Sequence, residues 1–544
     1  MKLTGLYADT VLFSGKIATM DAENSYAEGV AIRDGNIALV GTDSEVLETV
    51  GPKTKIIDLK GRSVLPGFID THIHPSMAGG IISEEIIDLK VLQQTSIATL
   101  LDMVRKKGSE TPERRWILGW GYDEARLFER RHPRRKELDE VAASNPVFLT
   151  HACGHIAVGN TLALTMGGVT KDKPDPRQGI IDRDIKGEPT GVLRNRAQDL
   201  VREHIPPMEY KKMKEGLRKA CGKLASLGVT SIHDAWSGPD LIRAYQELLA
   251  EGKLPIRVGL IPPIANPFEG DYMDQLTSIR LRTGFGNPML RIVGVKVAVD
   301  GMLRSETAAL HDAYEGQPHN RGILTIDAKD LQRKAAICNA AGLRICIHAE
   351  GDRGIDIALD SIEKALDENP VEDHRHRIEH CGLCTPTQMR RMKGLGVIPS
   401  VSINFIYDIG EGYETSIGTD RAEWVYPLKS LMDNGIKASC NSDWPVSMGN
   451  PLIGLYSAVV RKTWKGDELG PNQRVSLTDA IRTYTVNAAH ASFEENIKGS
   501  IEVGKLADMI MLSRDIFNIP AEWIPKIKVD MTMVGGKIVY QRSI

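Results

Sequence analysis

His72 and His74 stand one residue apart in the segment SVLPGFIDTHIHP, just past an apolar run that ends in an acid. Along a strand, residues i and i+2 point to the same side, so two imidazoles at this spacing can converge on one metal ion. At a turn the same pair would be two solvated histidines, and the dipeptide pattern leaves both readings open. His348 ends the apolar run of LRICIHAEGD and His380 that of HRIEHCG. One such histidine is ordinarily a satisfied core residue. Two in successive units, added to the first pair, are harder to explain as packing.

Lys296 lies in RIVGVKVAVDG, where Val293, Val295, Val297 and Val299 share one strand face and Gly294, Lys296, Ala298 and Asp300 the other. An ammonium buried there is costly unless paired or neutralised. Pairing with Asp300 or another acid would remove the cost, as would reaction with carbon dioxide to an anionic carbamate able to bridge two metal ions. Asp443, in IKASCNSDWP, is an acid that can bind a metal and accept a proton from attacking water, or simply cap a turn. His155, in the glycine-flanked ACGHIA, and His233, at the end of VTSIHDA, are candidates for substrate contact. Trp120, Tyr122 and Arg304 are weaker pocket candidates, because such residues also serve packing and solvation. Cys381 and Cys384 form a C-x-x-C without a second pair, which reads as core packing rather than a zinc or redox site.

These residues need elements to hold them. Eight apolar runs qualify as strands: Val64 to Ile69, Val229 to His233, Ile256 to Ile261, Ile292 to Val299, Leu343 to His348, Arg375 to His380, Val397 to Val401 and Ile436 to Cys440. Helical patterning separates most of them, as at Glu215 to Leu227, Leu241 to Leu249 and Leu331 to Ala341. Strands and helices in this alternation predict an α/β chain with a (β/α)8 TIM-like barrel, whose catalytic residues sit at the C-terminal ends of strands. The histidines stand there.

From about Gly80 to Glu203 too many residues intervene for a simple connection, which predicts an insertion after the first barrel strand. It carries ILGWGYDEARL, NPVFLTHACGHIAVGN and KGEPTGVLRNRA, and could be a wall or lid over the barrel mouth or a stabilising appendage. Short β-type runs at both ends, among them DTVLFSGKIATM and TMVGGKIVY, predict a small β-sandwich built from both termini. The expected division is 1–60 and 497–544 for the β domain, 61–84 and 204–496 for the barrel, and 85–203 for the insertion.

Composition bounds the function classes. The chain has 544 residues, 42% hydrophobic and 26% charged, with a net charge of −3. No basic excess attracts nucleic acid or an anionic membrane. The basic run RRHPRRKELDE is closed by acids and reads as a solvated helix start. No apolar stretch is long enough to span a bilayer, the N-terminus lacks a secretory pattern, and seven scattered cysteines argue against a disulfide framework. The expectation is a reducing, cytoplasmic setting and a small-molecule substrate, with a homodimer as the default assembly.

The ordered set His72, His74, Lys296, His348, His380 and Asp443 resembles the metal-binding pattern of the amidohydrolase superfamily. LPGFIDTHIHP, VKVAVDG, IHAEGD, RIEHC, NSDWP, YTVNAA and GSIEVGKLADMIML stand in the order that family uses, from Ala8 to Tyr540. GWGYDE, the HPRRKELDEVAASNPVFLTHACGHIAVGN stretch and GEPTGVLR are similar to the amidohydrolase family 3 branch, which includes an N-substituted formamide deformylase. Two departures stand in the region expected to face substrate: Cys153 precedes Gly154 and His155 where members commonly carry an acid, and the acid often found near Asn195 is missing.

The resemblance implies that His72, His74 and Asp443 hold the more buried of one or two divalent metals and that His348 and His380 hold the second. Carboxylated Lys296 would bridge them. Zinc is the default, although iron, manganese, cobalt and nickel suit the same ligands. It further implies hydrolysis of a non-peptide C–N bond, in an amide, formamide or related carbonyl substrate, with Asp443 as general base and then acid. The alternatives are a lactone, carbamate or ester hydrolase at the same centre, and a scaffold without chemistry.

Overall fold

The computed structural model describes residues 7–90, 95–152, 154–177, 179–265 and 270–543; Cys153 lies outside them. Two parallel sheets carry the candidate residues. One runs Leu290–Ile292, Arg257–Ile261, Val229–Ala235, Phe68–Ile73, and the other Pro263–Ala265, Val295–Ala298, Ile345–Ala349, Arg377–His380, Ile398–Val401, Ser439–Cys440. Arg257–Ile261 and Pro263–Ala265 are one segment interrupted at Pro262, and Leu290–Ile292 and Val295–Ala298 another interrupted at Val293 and Gly294. The two sheets therefore follow each other through eight segments in chain order. At the far edge, Ser439–Cys440 meets Phe68–Ile73 without a ladder: Thr71 Oγ1 donates to Cys440 O at 3.0 Å, and Asp443 N donates to His72 O at 3.0 Å.

The expected first strand, Val64 to Ile69, is two strands. Ser63–Pro66 pairs antiparallel with Met509–Leu512, and Phe68–Ile73 pairs parallel with Val229–Ala235. One unbroken apolar run conceals the change of sheet, because both halves are buried.

The helices Tyr210–Ser226, Pro239–Ala250, Ala328–Ala340, Asp352–Glu368 and Pro386–Leu395 fall between parallel strands. Val295, Val297 and Val299 share a buried cluster with Leu331 and Ala335 of one helix and Ile355 and Ala358 of another, so the valine face packs outward and Lys296 faces in. Pro75–Ile82 crosses Tyr210–Ser226 at Gly79 and Gly216, where a Cβ on Gly79 would stand 2.4 Å from the Gly216 carbonyl carbon. Glycine here sets how close the helix following the His72 strand can sit.

Both termini enter one six-stranded sheet, in which Lys537–Gln541, Val529–Val534 and Met509–Leu512 continue through Ser63–Pro66 to Lys16–Ala18 and Tyr26–Ala27. Asn36–Gly41, Gly29–Arg33, Thr10–Phe13 and Lys55–Asp58 form a four-stranded sheet, and Leu12, Ile17, Val30, Val64, Met509 and Met531 belong to one buried cluster between these elements. The segments singled out between Gly80 and Glu203 fold as Ile117–Tyr122, Val147–His151, Ile156–Gly159 and Pro189–Asn195 within a separate six-stranded sheet. The basic run leads into the short helix Arg135–Val141, with Arg130, Arg131 and Arg134 preceding it. Cys381 and Cys384 are buried free thiols. Among the described residues no helix is long and apolar enough to cross a membrane.

Candidate metal centre

His72 projects from Phe68–Ile73, where alternation places it on the face shared with Asp70. Its Nδ1–H donates to Glu379 Oε2 at 2.5 Å. His74 follows the strand and donates Nδ1–H to the Ala235 carbonyl at 2.9 Å. Both rings therefore turn Nε2 toward Asp443 Oδ1, at 3.6 Å from His72 and 3.0 Å from His74. One ligand atom from each of the three residues lies within 4.8 Å of the others.

This geometry demands a cation. With Nδ1–H committed to Ala235, a neutral His74 presents a lone pair to a carboxylate oxygen, and Asp443 Oδ1 is buried without a well-aligned donor. A bound divalent ion relieves the conflict, as does a proton on His74. In the protein alone, burial works against that proton, but the Asp443 carboxylate outweighs it and holds the His74 pKa above its usual value. The donor set, two imidazole nitrogens and a carboxylate, suits a first-row divalent metal. Hydrogen-bonding the remote nitrogen of each ring is what fixes a metal-ligating tautomer.

His348 and His380 stand beside this group. Ring centroids are 4.4 Å apart between them and 4.6 Å between His72 and His380. His348 Nε2 lies 3.1 Å from Gly301 O, and His380 Nδ1 lies 2.8 Å from Ser402 Oγ. Burial pushes His348 down to about 3 and holds His72 and His380 well below the imidazole range, so these rings are neutral and offer lone pairs. His380 has φ +69° and Asp443 φ +52°. Left-handed backbone at non-glycine residues is a cost that clusters at functional sites.

Lys296 Nζ is fully buried, 3.2 and 3.4 Å from the ring nitrogens of His72. Burial pushes its pKa down to about 8. Asp300, offered by the sequence as its partner, instead accepts N–H bonds from Ala309, Glu350 and Gly351 at 2.9 to 3.1 Å. The lysine thus faces the histidines rather than the acid on its own strand.

A cavity of about 770 Å³ opens over these six residues. Trp120, Phe148 and His155 line it from the sheet of Ile117–Tyr122 and Val147–His151 and its neighbours, so this segment forms one wall. His155 is hydrogen-bonded by the Asn195 side chain, and burial pushes its pKa to about 4. Tyr122, Arg304 and His233, expected to contact substrate, do not line the cavity. Tyr122 is fully buried against His132 and His151. Arg304 donates to Asp123 at 3.0 Å. His233 Nδ1 accepts from Arg377 Nη1 at 2.9 Å. Packed rings hold Tyr122, an ion pair holds Arg304 and a hydrogen bond from Arg377 holds His233.

Arg377 and Glu379 escaped the sequence reading. Arg377 Nε and Nη2 donate to Glu379 Oε1 and Oε2 at 2.8 and 2.7 Å, in the interior of the parallel strands. The signal was available in RIEH, where two charged residues alternate along a strand otherwise expected to be buried.

Comparison with known proteins agrees with this geometry. The family model described as the amidohydrolase family matches residues 55–540. The chain is similar to "Protein LONG AFTER FAR-RED 3" of Arabidopsis thaliana, 31% identical over 98% of the chain and 92% of that protein. It is similar to an N-substituted formamide deformylase of Arthrobacter pascens, 28% identical over 98% and 99%. Among solved structures, an uncharacterized metal-dependent hydrolase from Pyrococcus horikoshii superposes with a TM-score of 0.76 at 29% identity, covering 94% of this chain and 99% of that one.

Proposed function

The chain belongs to the amidohydrolase family, and on that premise we propose that it is a metal-dependent hydrolase of non-peptide C–N bonds in amides, formamides or related carbonyl substrates. The observation that carries this is the approach of two imidazoles, each with its remote nitrogen committed, to a buried carboxylate oxygen lacking an aligned donor. His72, His74 and Asp443 would hold one divalent metal, zinc by default, and His348 and His380 a second. Carboxylated Lys296 would join them. A pKa pushed down to about 8 supports that modification, since about a tenth of the amine is free at pH 7, far more than for an ordinary lysine, to add carbon dioxide, releasing one proton. The architecture that fits is a (β/α)8 barrel of the eight segments, with a β-sandwich from 1–60 and 497–544 and an insertion over 85–203.

When bound, the metal supplies Lewis acidity for the water and the substrate carbonyl. Asp443 accepts the proton of the attacking water and returns it to the departing nitrogen, the role for which its position beside the histidines suits it. Glu379 and Ala235 O keep the imidazole tautomers fixed through turnover. Trp120 and Phe148 in the cavity wall favour an apolar substituent on the substrate.

The test is metal analysis of the purified protein with turnover on a panel of amides, formamides, lactams and N-acyl amino acids, matched to esters. Bound divalent metal with amide hydrolysis supports the reading, and Asp443→Asn should lower kcat by at least about 100-fold while the fold survives. Unchanged activity in that variant removes Asp443 from the mechanism; ester turnover without amide turnover replaces the C–N assignment.

A further inference from the structure

The chain after Ser439–Cys440 holds Asp443 in a left-handed conformation, φ +52°, which a non-glycine residue adopts at some cost, smallest for Asp and Asn. One side of this loop is tied to the His72 strand. Ser442 Oγ donates to Asp70 Oδ2 at 2.5 Å, Asp443 N to His72 O at 3.0 Å and His74 N to Trp444 O at 2.8 Å.

The other side is held from outside the parallel sheets. Lys90 Nζ donates to Pro445 O at 3.1 Å and Val446 O at 2.7 Å, the carbonyls two and three residues beyond Asp443. Its third donor goes to Asp408 Oδ2 at 2.9 Å, which also accepts Met448 N at 2.8 Å. An ammonium has three N–H donors, and here each has an acceptor. Arg126 adds a second cation, donating to the Asp408 carbonyl and lying 3.5 Å from its Oδ1.

Lys90 and Arg126 flank the strand Ile117–Tyr122 in the cavity-wall sheet. Leu89 N donates to Trp120 O at 2.8 Å, and Gly121, at φ +96°, would drive a Cβ to 3.2 Å from Lys90 Cβ. The GWGYDEAR motif thus has a use that substrate contact does not explain. Gly121 leaves room for Lys90, Asp123 holds Arg304, and Arg126 reaches Asp408.

We propose that Lys90, supported by Arg126 through Asp408, is a positioning residue that fixes the Asp443 loop for catalysis, so that the wall sheet completes the metal centre as well as enclosing it. This rests on the hydrolase reading above. A simple docking contact would end on one surface acceptor, whereas the ammonium spends two of its three donors on the backbone that carries Asp443.

The test compares wild type, Lys90→Met, Lys90→Arg and, as a control in the same sheet's periphery, Asp139→Ala, which loses the bonds to Thr161 N and Oγ1. Lys90→Met should lower kcat by about 10- to 100-fold with KM within about 3-fold. It should also weaken metal retention against a chelator by about 10-fold. Lys90→Arg should return most of the kcat, and Asp139→Ala should lower the melting temperature alone. If Lys90→Met does not fold, Lys90→Gln is expected to show the same kcat loss. The proposal is overturned if Lys90→Met, per folded molecule, turns over and retains metal like wild type. Turnover by the wild type judges the hydrolase reading by itself, and metal retention judges Lys90 without any turnover.

Discussion

The Glu379 carboxylate takes the Nδ1–H of His72 at 2.5 Å and, through the same Oε2, an N–H of Arg377 at 2.7 Å. One buried acid therefore sets the tautomer of a candidate metal ligand and neutralises a guanidinium with no exposure to water. Arg377 extends the chain of contacts to Thr71 O at 2.5 Å and His233 Nδ1 at 2.9 Å, so the centre is braced across three strands.

Glu379→Gln should accordingly do two separable things. The amide oxygen can still accept from His72, but the charge that strengthens that bond is gone, and metal affinity should fall by about 10- to 100-fold. Leaving Arg377 buried without its counter-charge should cost about 3–5 kcal/mol of stability. Chelator competition reads the first and denaturant unfolding the second; unchanged affinity would show that the Glu379 charge does not support His72.

Lys296 should carry a carbamate in metal-loaded protein. With 13C-labelled bicarbonate, a carbamate carbon resonance is expected in the wild type and is expected to vanish in Lys296→Met. Its absence from metal-replete wild type would leave the lysine as an amine and the two-metal arrangement without its bridge.

Alternation and end-of-strand position made the six candidate ligands legible in the sequence, because a parallel strand must send every second residue inward. Lys296, Val295, Val297 and Val299 follow that rule; Val293, in the break before Val295–Ala298, leaves the shared face and packs with Ile261 and Cys346 instead. Two things were hidden. The break at Gly67 separates two buried strands of different sheets, and burial on both sides leaves no polar mark in the pattern. Arg304 and His233 carry the right chemistry at plausible positions, but their partners, Asp123 and Arg377, come from more than 140 residues away. Long-range pairing of that kind has no local signature. The same holds for Lys90, whose acceptors lie more than 300 residues away.

Trp120 and Phe148 should govern substrate binding rather than chemistry. Trp120→Ala removes a ring from the cavity wall that takes no part in the bonds to Glu379 and Ala235 that orient His72 and His74. KM for a substrate with a bulky apolar substituent should rise about 10-fold, equivalent to about 1.4 kcal/mol, while metal content stays at the wild-type level. A rise of equal size for the smallest substrate that is turned over would show that the ring acts on the reacting group instead.

Two glycines on one helix should respond in opposite directions to alanine. Gly216, in Tyr210–Ser226, faces the backbone of Gly79, where an added Cβ would stand 2.9 Å from the Gly79 carbonyl carbon and oxygen. Backbone cannot yield as a side-chain tip can, so Gly216→Ala should force the helix Pro75–Ile82 outward at a cost of about 1–3 kcal/mol. Gly222, two turns on in the same helix, has nothing within 4 Å of a built Cβ. Gly222→Ala relieves only the entropic penalty of glycine in a helix and should stabilise by about 0.5–1 kcal/mol. Because Pro75 follows directly on His74, displacing its helix should also loosen the metal centre. Gly216→Ala is therefore expected to lose metal more readily than Gly222→Ala in a chelator titration, and equal retention in the two variants would uncouple that helix from His74.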